Sequence, residues 1–188
     1  MSTHFLLTPP AIVIISFLTL GVLTAMVAFL IWRKGGRAWL LTYARSSWLT
    51  TAARALVALT VLTALLGFLT ASAYLTSIEI TRGKLVVTAP PLAYTVIYEE
   101  EIVEAFVVDW DENTSLRPVI RTAGTSIGSY KTGWFKLNNG SPALLVTSSP
   151  KNLCIRTTQG LYLLLHPEDF AEFLEQFNNT LASQLDRP

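Results

Sequence analysis

Acidic side chains are missing from the first 78 residues, because all 13 carboxylates lie at Glu79 or later. Residues 1–76 carry five basic residues, whereas residues 77–188 carry nine basic and 13 acidic ones, a net charge of −4. Proteins that bind nucleic acid need a basic face to displace counterions from the phosphates. The acidic C-terminal region therefore gives no reason to expect a nucleic-acid partner.

Residues for catalysis and metal binding are also scarce. Cys154 is the single cysteine, which excludes an internal disulfide, and the two histidines lie far apart in the sequence. Residues 109–113 have the opening spacing of a calcium loop, but Thr114 stands where that loop needs glycine. We therefore predict a protein that is not an enzyme, with no metal site and no cofactor.

Charge is absent from two long stretches, residues 11–32 and residues 55–78. A helix rises about 1.5 Å per residue, so either stretch could cross a hydrocarbon core of about 30 Å. A signal peptide would need a basic start and a shorter apolar core than the first stretch has. The sequence therefore predicts two membrane spans, at about 11–32 and 55–76, joined by a basic loop at 33–54.

Basic residues are concentrated in that loop, which holds five of them and no acidic residue. Because positive charge beside spans stays in the cytoplasm, we predict a cytoplasmic loop and an extracytoplasmic domain after the second span. Candidate contacts with lipid headgroups lie in the loop and just beyond the second span. These candidates are Arg33, Lys34, Arg37, Arg82 and Lys84.

Small residues recur at helical spacing in both stretches, at Gly21 and Ala25 and again at Gly67 and Ala71. Small side chains allow two helices in lipid to approach closely. We therefore predict that these four residues pack the spans on each other or on a partner. Neither stretch contains Asp, Glu, Lys, Arg or His, which argues against a channel or transporter that works alone.

From Ser77 the apolar residues alternate as they do in β-strands, and Asn139-Gly140 and Gln159-Gly160 predict tight hairpin turns. The period then becomes helical, with Pro167 at a predicted helix start. One apolar face of that helix, predicted at 167–185, is formed by Phe170, Phe173, Leu174 and Phe177. The predicted fold is a membrane helical hairpin (1–76) followed by a mainly-β barrel or sandwich with one C-terminal amphipathic helix (77–188).

The densest charge run is Glu99-Glu100-Glu101 with Glu104. Such a run is most often a solvated turn. It could also be a docking patch for a basic partner, and the sequence leaves both interpretations open.

Residues 117–177 carry a more specific pattern. It consists of Arg121-Thr122-Ala123-Gly124, Lys131 to Gly140 (KTGWFKLNNG), Leu153 to Thr157 (LCIRT) and Leu161 to Phe170 (LYLLLHPEDF). This pattern resembles the bacterial PH-domain (pleckstrin-homology-like) family found behind a pair of N-terminal transmembrane helices. The basic first hairpin of eukaryotic inositol-phosphate binders is barely present, since only Arg82 and Lys84 could stand in for it.

The resemblance implies a PH-like fold and a binding or assembly module without catalysis. It also implies a multi-pass protein of the bacterial inner membrane, whose partners are membrane lipid and another membrane protein or a second copy. We therefore expect an interaction or assembly subunit of a membrane complex. The alternative is a membrane-proximal sensor domain that binds a lipid or another ligand.

Overall fold

A computed structural model describes residues 3–7, 11–12, 14–15, 18–27, 29–30, 57–65, 67–68, 71 and 74–181. The chain divides into two compact units. One unit, which we call the β-domain, combines Met1–Pro9 with Ser72–Pro188, and the other is the intervening segment Pro10–Ala71.

The β-domain contains ten strands and one C-terminal helix. The strands are β1 (Thr3–Leu6), β2 (Ser77–Thr81), β3 (Lys84–Ala89), β4 (Ala93–Tyr98), β5 (Ile102–Asp109), β6 (Pro118–Ile127), β7 (Tyr130–Leu137), β8 (Pro142–Thr147), β9 (Lys151–Thr157) and β10 (Tyr162–His166). They form a four-stranded sheet in the order β1-β2-β3-β4 and a six-stranded sheet in the order β5-β9-β10-β8-β7-β6. The pairs are antiparallel except for β8 and β10, which run parallel.

The two sheets make a sandwich, and neither closes into a barrel within the part of the chain that the structure describes. The predicted mainly-β sandwich with a C-terminal helix is therefore confirmed, and the barrel alternative is wrong. The reason lies at Glu99–Glu101, a short 3-10 turn that carries the chain from β4 into the other sheet. Strands β4 and β5 are consequently not joined by a ladder of hydrogen bonds.

The main core lies between the two sheets and under the C-terminal helix. In β2 and β3 alternate residues are buried, as expected for strands with one face in the core. In β8, β9 and β10 successive residues are buried, because the six-stranded sheet is covered on both faces. Residues of one face contribute to the main core, and those of the other face meet a second apolar cluster that includes Trp110, Leu116 and Cys154.

The C-terminal helix spans Phe170–Thr180 and begins three residues later than predicted. Pro167 precedes it in the chain, and Asp169 occupies the N-cap position. Phe173 and Phe177 are buried in the main core, and Phe170 and Leu174 pack against it partly exposed. The predicted last turn, 182–185, lies outside the described residues.

Strand β1 is a feature that the sequence did not predict. It pairs antiparallel with β2, with Thr3 opposite Ile80 and Leu6 opposite Ser77. Phe5, on the inner side of the strand, is 4% exposed, and its ring meets that of Phe173 edge-on at 5.3 Å between centroids. The first residues of the chain therefore complete the β-domain, although 70 residues separate Leu6 from its strand partner Ser77.

Two glycines of the family-like pattern, Gly124 and Gly133, are opposite each other in the antiparallel pair of β6 and β7. Both have a positive φ, 133° and 107°, which side chains other than glycine rarely adopt. A Cβ on Gly133 would collide with the carbonyl oxygen of Ala123, and one on Gly124 with that of Thr132. These glycines allow the two backbones to approach closely, so the pattern encodes the path of the strands.

Gly133→Ala is expected to lower the free energy of unfolding by about 2 kcal/mol or more, because strain and a backbone collision add. Gly128→Ala is the matched control, since Gly128 also has a positive φ, 59°, but open space around its Cβ position. Urea unfolding followed by tryptophan fluorescence measures both. Equal losses for the two variants would mean that the backbone collision at Gly133 does not contribute to the loss of stability.

In the segment Pro10–Ala71, those residues within 11–30 and 57–71 that the structure describes are helical. The hydroxyl oxygens of Thr24 and Thr63 lie 3.1 Å apart, and each is also 2.8 Å from the carbonyl oxygen four residues earlier, Leu20 or Leu59. A hydroxyl has one proton, so a bond between the threonines requires one of them to release its carbonyl. The contact brings the two helical stretches together at these positions.

Among the residues that the structure describes, no helix has the length and apolar character needed to cross a membrane.

Candidate binding surface

The β-domain has two ends that differ in chemistry. We define the stem end as the end where the chain leaves the four-stranded sheet after Leu7 and returns to it at Thr76. The backbone N–H of Leu7 donates a hydrogen bond of 3.4 Å to the carbonyl oxygen of Thr76. The turn Pro90–Leu92 between β3 and β4 lies at the same end. Thr88 pairs with Ser77, and the next residue of β3, Ala89, pairs with Ala93 just before and after this turn. The far end holds the turn between β2 and β3, at Arg82-Gly83.

The outer face of the four-stranded sheet is uncharged at the stem end and carries charged side chains further along the strands. The row nearest the stem end contains Leu6, Ser77, Thr88 and Tyr94, according to the strand register. The next row contains His4 and Glu79, whose side chains lie 3.8 Å apart, with Val86 and Val96. The last row contains Thr81, Lys84 and Tyr98. The charged groups of this face thus lie away from the stem end.

The structure places Arg82 and Lys84 at the far end, although only a few residues separate them from the second apolar stretch. Strand β2 has five residues, so at about 3.3 Å per residue it carries the chain about 16 Å away from Thr76. Arg82 also lines an opening of about 510 Å³ together with Thr3, Gln176, Asn179 and Thr180. This opening offers hydrogen-bonding groups and one cation, which suits a small polar or anionic molecule.

The acidic run also lies at the far end, where Glu99 N donates to Gly83 O. Glu101 is used locally, because its carboxylate accepts from the backbone of Tyr98 at 2.9 Å and from Gln159 Nε2 at 3.1 Å. Glu104 forms an ion pair of 2.7 Å with Arg156 across the strand pair. Two of the four glutamates therefore stabilise turns and strands of the domain itself.

His166 is a structural residue at the entrance to the C-terminal helix. Its Nδ1 lies 2.5 Å from the carbonyl oxygen of Lys151 and therefore carries the proton, while its ring stacks on Phe170 at 4.2 Å. Burial lowers the pKa of His166 below the usual 6.5, partly offset by the hydrogen bond to the carbonyl. The neutral ring fits this packed position.

Two side chains of the calcium-like turn form local hydrogen bonds. Asp109 Oδ1 accepts the backbone N–H of Asp111 at 2.9 Å, and Asn113 Oδ1 accepts the hydroxyl of Ser115 at 2.7 Å. These are the local bonds that Asp and Asn commonly make in turns. Within the described residues, no group of three or more His, Cys, Asp or Glu side chains could hold a metal ion.

Cys154 is fully buried in β9, in the second apolar cluster. Burial, with a smaller contribution from the charge of Glu104, raises the pKa of its thiol to about 12. Because the thiolate is the reactive form, this cysteine is chemically inert in the folded protein.

Cys154 should therefore resist a thiol reagent such as 5,5′-dithiobis(2-nitrobenzoate) at pH 8 while the protein is folded. One thiol per chain should react within minutes in guanidinium chloride, because unfolding exposes the side chain and restores an ordinary pKa near 8.5. Absorbance at 412 nm measures both reactions. Rapid reaction of the native protein would contradict the burial of this strand.

The residues predicted to pack the spans differ in exposure. Gly21 and Gly67 are half-buried, whereas Ala25 and Ala71 are exposed. A Cβ on Gly21 would meet nothing within 4 Å. Arg33, Lys34 and Arg37 lie outside the described residues, so their contact with headgroups stays a prediction.

Sequence reasoning missed the exposed apolar groups of the stem end. Leu92 is 52% exposed in the turn after Pro91, and Tyr94, which follows it on β4, is 69% exposed. The absence of charge from residues 85–98 was a signal that could have drawn attention to this hairpin.

Comparison with known families assigns the fold. A family model described as a bacterial PH domain matches residues 76–181, more than half of the chain. No curated protein and no solved structure gives a significant match. The matched range begins at the stem end and includes β2 to β10 and the C-terminal helix, but not β1.

Proposed function

This chain belongs to the bacterial PH-domain family, and we propose that it is a membrane-anchored, non-catalytic subunit that recruits or assembles other membrane components. PH domains in general are binding modules without enzymatic activity, and they often bind lipids or proteins. The membrane anchor and the assembly role go beyond the family and are argued from the residues of this chain.

Support for the anchor comes first from the sequence of the intervening segment. Residues 11–32 and 55–78 contain no charged side chain, and each stretch is long enough for a hydrocarbon core. Large apolar side chains are exposed along the described helical residues of the segment Pro10–Ala71. These include Ile12, Ile15, Leu18, Val22, Leu23, Met26, Phe29, Leu30, Val57, Val61, Leu62, Leu65 and Phe68. Apolar surface of this extent is unfavourable in water and favourable in lipid.

The observation that carries the proposal is the pairing of β1 with β2. Because Leu6 pairs with Ser77, the chain between them starts and finishes at the same place on the β-domain. A segment whose two ends are held together can cross a bilayer only an even number of times. Two crossings, by the two charge-free stretches, satisfy this condition, and a single crossing does not.

The proposed orientation follows from charge. The loop 33–54 holds five basic and no acidic residues, so it should remain in the cytoplasm of the bacterial cell. With two crossings, the β-domain would then lie on the extracytoplasmic side of the inner membrane. Its partners would be another membrane protein or a second copy of this chain, together with membrane lipid.

Reporter fusions test the anchor and its orientation in cells. A reporter enzyme that is active only after export should work when fused after Pro188 and should fail when inserted in the loop 33–54. The reverse pattern would place the β-domain in the cytoplasm. Loss of the untagged protein from the membrane fraction after carbonate washing would overturn the anchor itself.

A lipid- or ligand-binding sensor is the second candidate function. The observation that favours it is the opening at the far end, which is lined by Arg82 together with the polar residues Thr3 and Gln176. Arg82→Ala should abolish saturable binding of a small anion such as inorganic phosphate if the opening is such a site. Calorimetry that detects no binding to the unmodified protein would remove this candidate.

A further inference from the structure

We propose that the β-domain meets the lipid surface with its stem end, through the exposed tip of the β3–β4 hairpin at Pro91 and Leu92 and the neighbouring ring of Tyr94. This inference rests on the proposed membrane anchor and names the surface that the anchored domain would present to lipid.

Connectivity gives the first argument. The chain leaves the sheet after Leu7 and returns at Thr76, both of which belong to the stem end. Three residues separate Leu7 from the start of the first charge-free stretch at Ala11, and Thr76 lies within the second. Since an extended residue spans at most about 3.6 Å, these short connections hold the stem end near wherever the two stretches enter a bilayer.

The chemistry of the hairpin gives the second argument. Residues 85–98 contain no charged side chain. Pro91 and Leu92 at the tip are exposed. The exposed fractions are 52% for Leu92 and 69% for Tyr94, and Leu6 and Leu75 at the same end are 57% and 64% exposed. Leucine and tyrosine together are typical of membrane interfaces, where the ring lies at headgroup level.

The shape of the tip supports the same role. The indole Nε1 of Trp134 donates to the carbonyl oxygen of Leu92 at 3.2 Å, and the backbone N–H of Leu92 donates to Ala89 O at 3.3 Å. The backbone groups of Leu92 are thus satisfied within the protein while its side chain remains exposed. Leu92 can therefore enter an apolar layer without leaving its own backbone N–H or carbonyl unpaired.

Charge gives the last argument, because within the four-stranded sheet and its turns it separates the two ends. Glu99, Glu100 and Glu101 lie at the far end, where an anionic membrane would repel them if they approached it. Glu168 is an acidic neighbour of the stem end, since its backbone N–H donates to Leu6 O at 3.2 Å. It lies two residues before the C-terminal helix, and the four-stranded sheet itself carries no charge in its stem-end row.

The proposed surface differs from the lipid contact at Arg82 and Lys84 that the sequence predicted. Arg82 and Lys84 lie about 16 Å from Thr76 along β2, which directs them away from the stem end. A fluorescent probe at Leu92 and one at Arg82 therefore distinguish the two possibilities. The inert Cys154 makes such labelling site-specific, and unmodified protein, which should take up no probe, is the control.

The experiment uses the full chain with L92C or R82C, each labelled with a nitrobenzoxadiazole probe. The proteins are reconstituted in vesicles of phosphatidylcholine and phosphatidylglycerol, with or without nitroxide-labelled lipid, and vesicle-bound protein is isolated by flotation. We expect the probe at residue 92 to lose at least half of its fluorescence to the nitroxide lipid. The probe at residue 82 should lose less than a tenth.

Other outcomes overturn the inference in distinguishable ways. Stronger quenching at residue 82 would assign lipid contact to the far end. Flotation without quenching at either residue would support the membrane anchor. It would also show that the hairpin tip contacts water or a protein partner and not lipid. Protein that does not float with the vesicles would overturn the anchor and this inference together.

Discussion

Phe173→Asp is expected to unfold the β-domain or to lower its free energy of unfolding by roughly 4 kcal/mol or more, because it buries an unpaired charge in the core. Phe173 is fully buried, and its ring meets Phe5 from β1 and Phe177 one helical turn later. The substitution removes these ring contacts. It also places a carboxylate in the main core, where residues of the C-terminal helix, β1 and the sheets pack together. Urea unfolding of the full chain in detergent, followed by near-ultraviolet circular dichroism, measures the loss.

Ala171→Asp is the matched control for Phe173→Asp. It adds the same carboxylate to the same helix at an exposed position in the first turn, where the helix dipole favours negative charge. We expect its stability to remain within about 0.5 kcal/mol of the unmodified protein. Equal stability of both variants and the unmodified protein would mean that the helix does not cover the core.

The helix and most strands could be predicted because each has its own local pattern. Phe170, Phe173 and Phe177 recur at helical spacing, and Asn139-Gly140 and Gln159-Gly160 do connect β7 to β8 and β9 to β10. The helix start was placed too early because Pro167 is a common first-turn residue. In the structure, Pro167 instead lies directly after the last residue of β10, His166.

Strand β1 could not be predicted in the same way. It has four residues, too few to establish an alternating pattern, and it lies directly before Pro9-Pro10 and a long apolar stretch. Its identity as a strand comes from a partner 70 or more residues later in the chain. Local sequence carries little information about such a distant pairing, because tertiary contacts select the strand.

The candidate surface shows a related limit. Sequence distance from the second apolar stretch suggested that Arg82 and Lys84 lie close to lipid headgroups. Distance along the chain does not give direction, and the straight path of β2 takes these residues to the far end. The exposure of Tyr94 likewise depends on which residues of β4 face the core, a property that the strand register determines.

Removal of β1 should be as damaging as a substitution in the core, although it deletes only terminal residues. Phe5 and Leu7 are 4% and 2% exposed, and burying a side chain of either type contributes about 1.5–3 kcal/mol. Without them the domain would lose about 3–6 kcal/mol, an upper range because the unfolded chain already buries some of this area. The edge of β2 would also be exposed, which favours aggregation.

Two shortened proteins make this comparison directly. In one, residues 3–7 are joined to residues 76–181 by a short glycine-rich turn, which is feasible because Leu7 and Thr76 are hydrogen-bonded neighbours. The other consists of residues 76–181 alone, the range that the family model matches. We expect the joined protein to be monomeric with a cooperative unfolding transition. The shorter one should unfold at a much lower urea concentration or precipitate.

A point variant separates the contribution of the core from that of the backbone pairing. Within the joined protein, Phe5→Ala should cost about 3 kcal/mol, because it leaves a cavity beside Phe173. His4→Ala, on the exposed side of the same strand, should change stability by less than about 0.5 kcal/mol. If residues 76–181 alone were as stable as the joined protein, β1 would be a dispensable addition. The pairing of β1 with β2 would then be too weak to hold both ends of the intervening segment at one place.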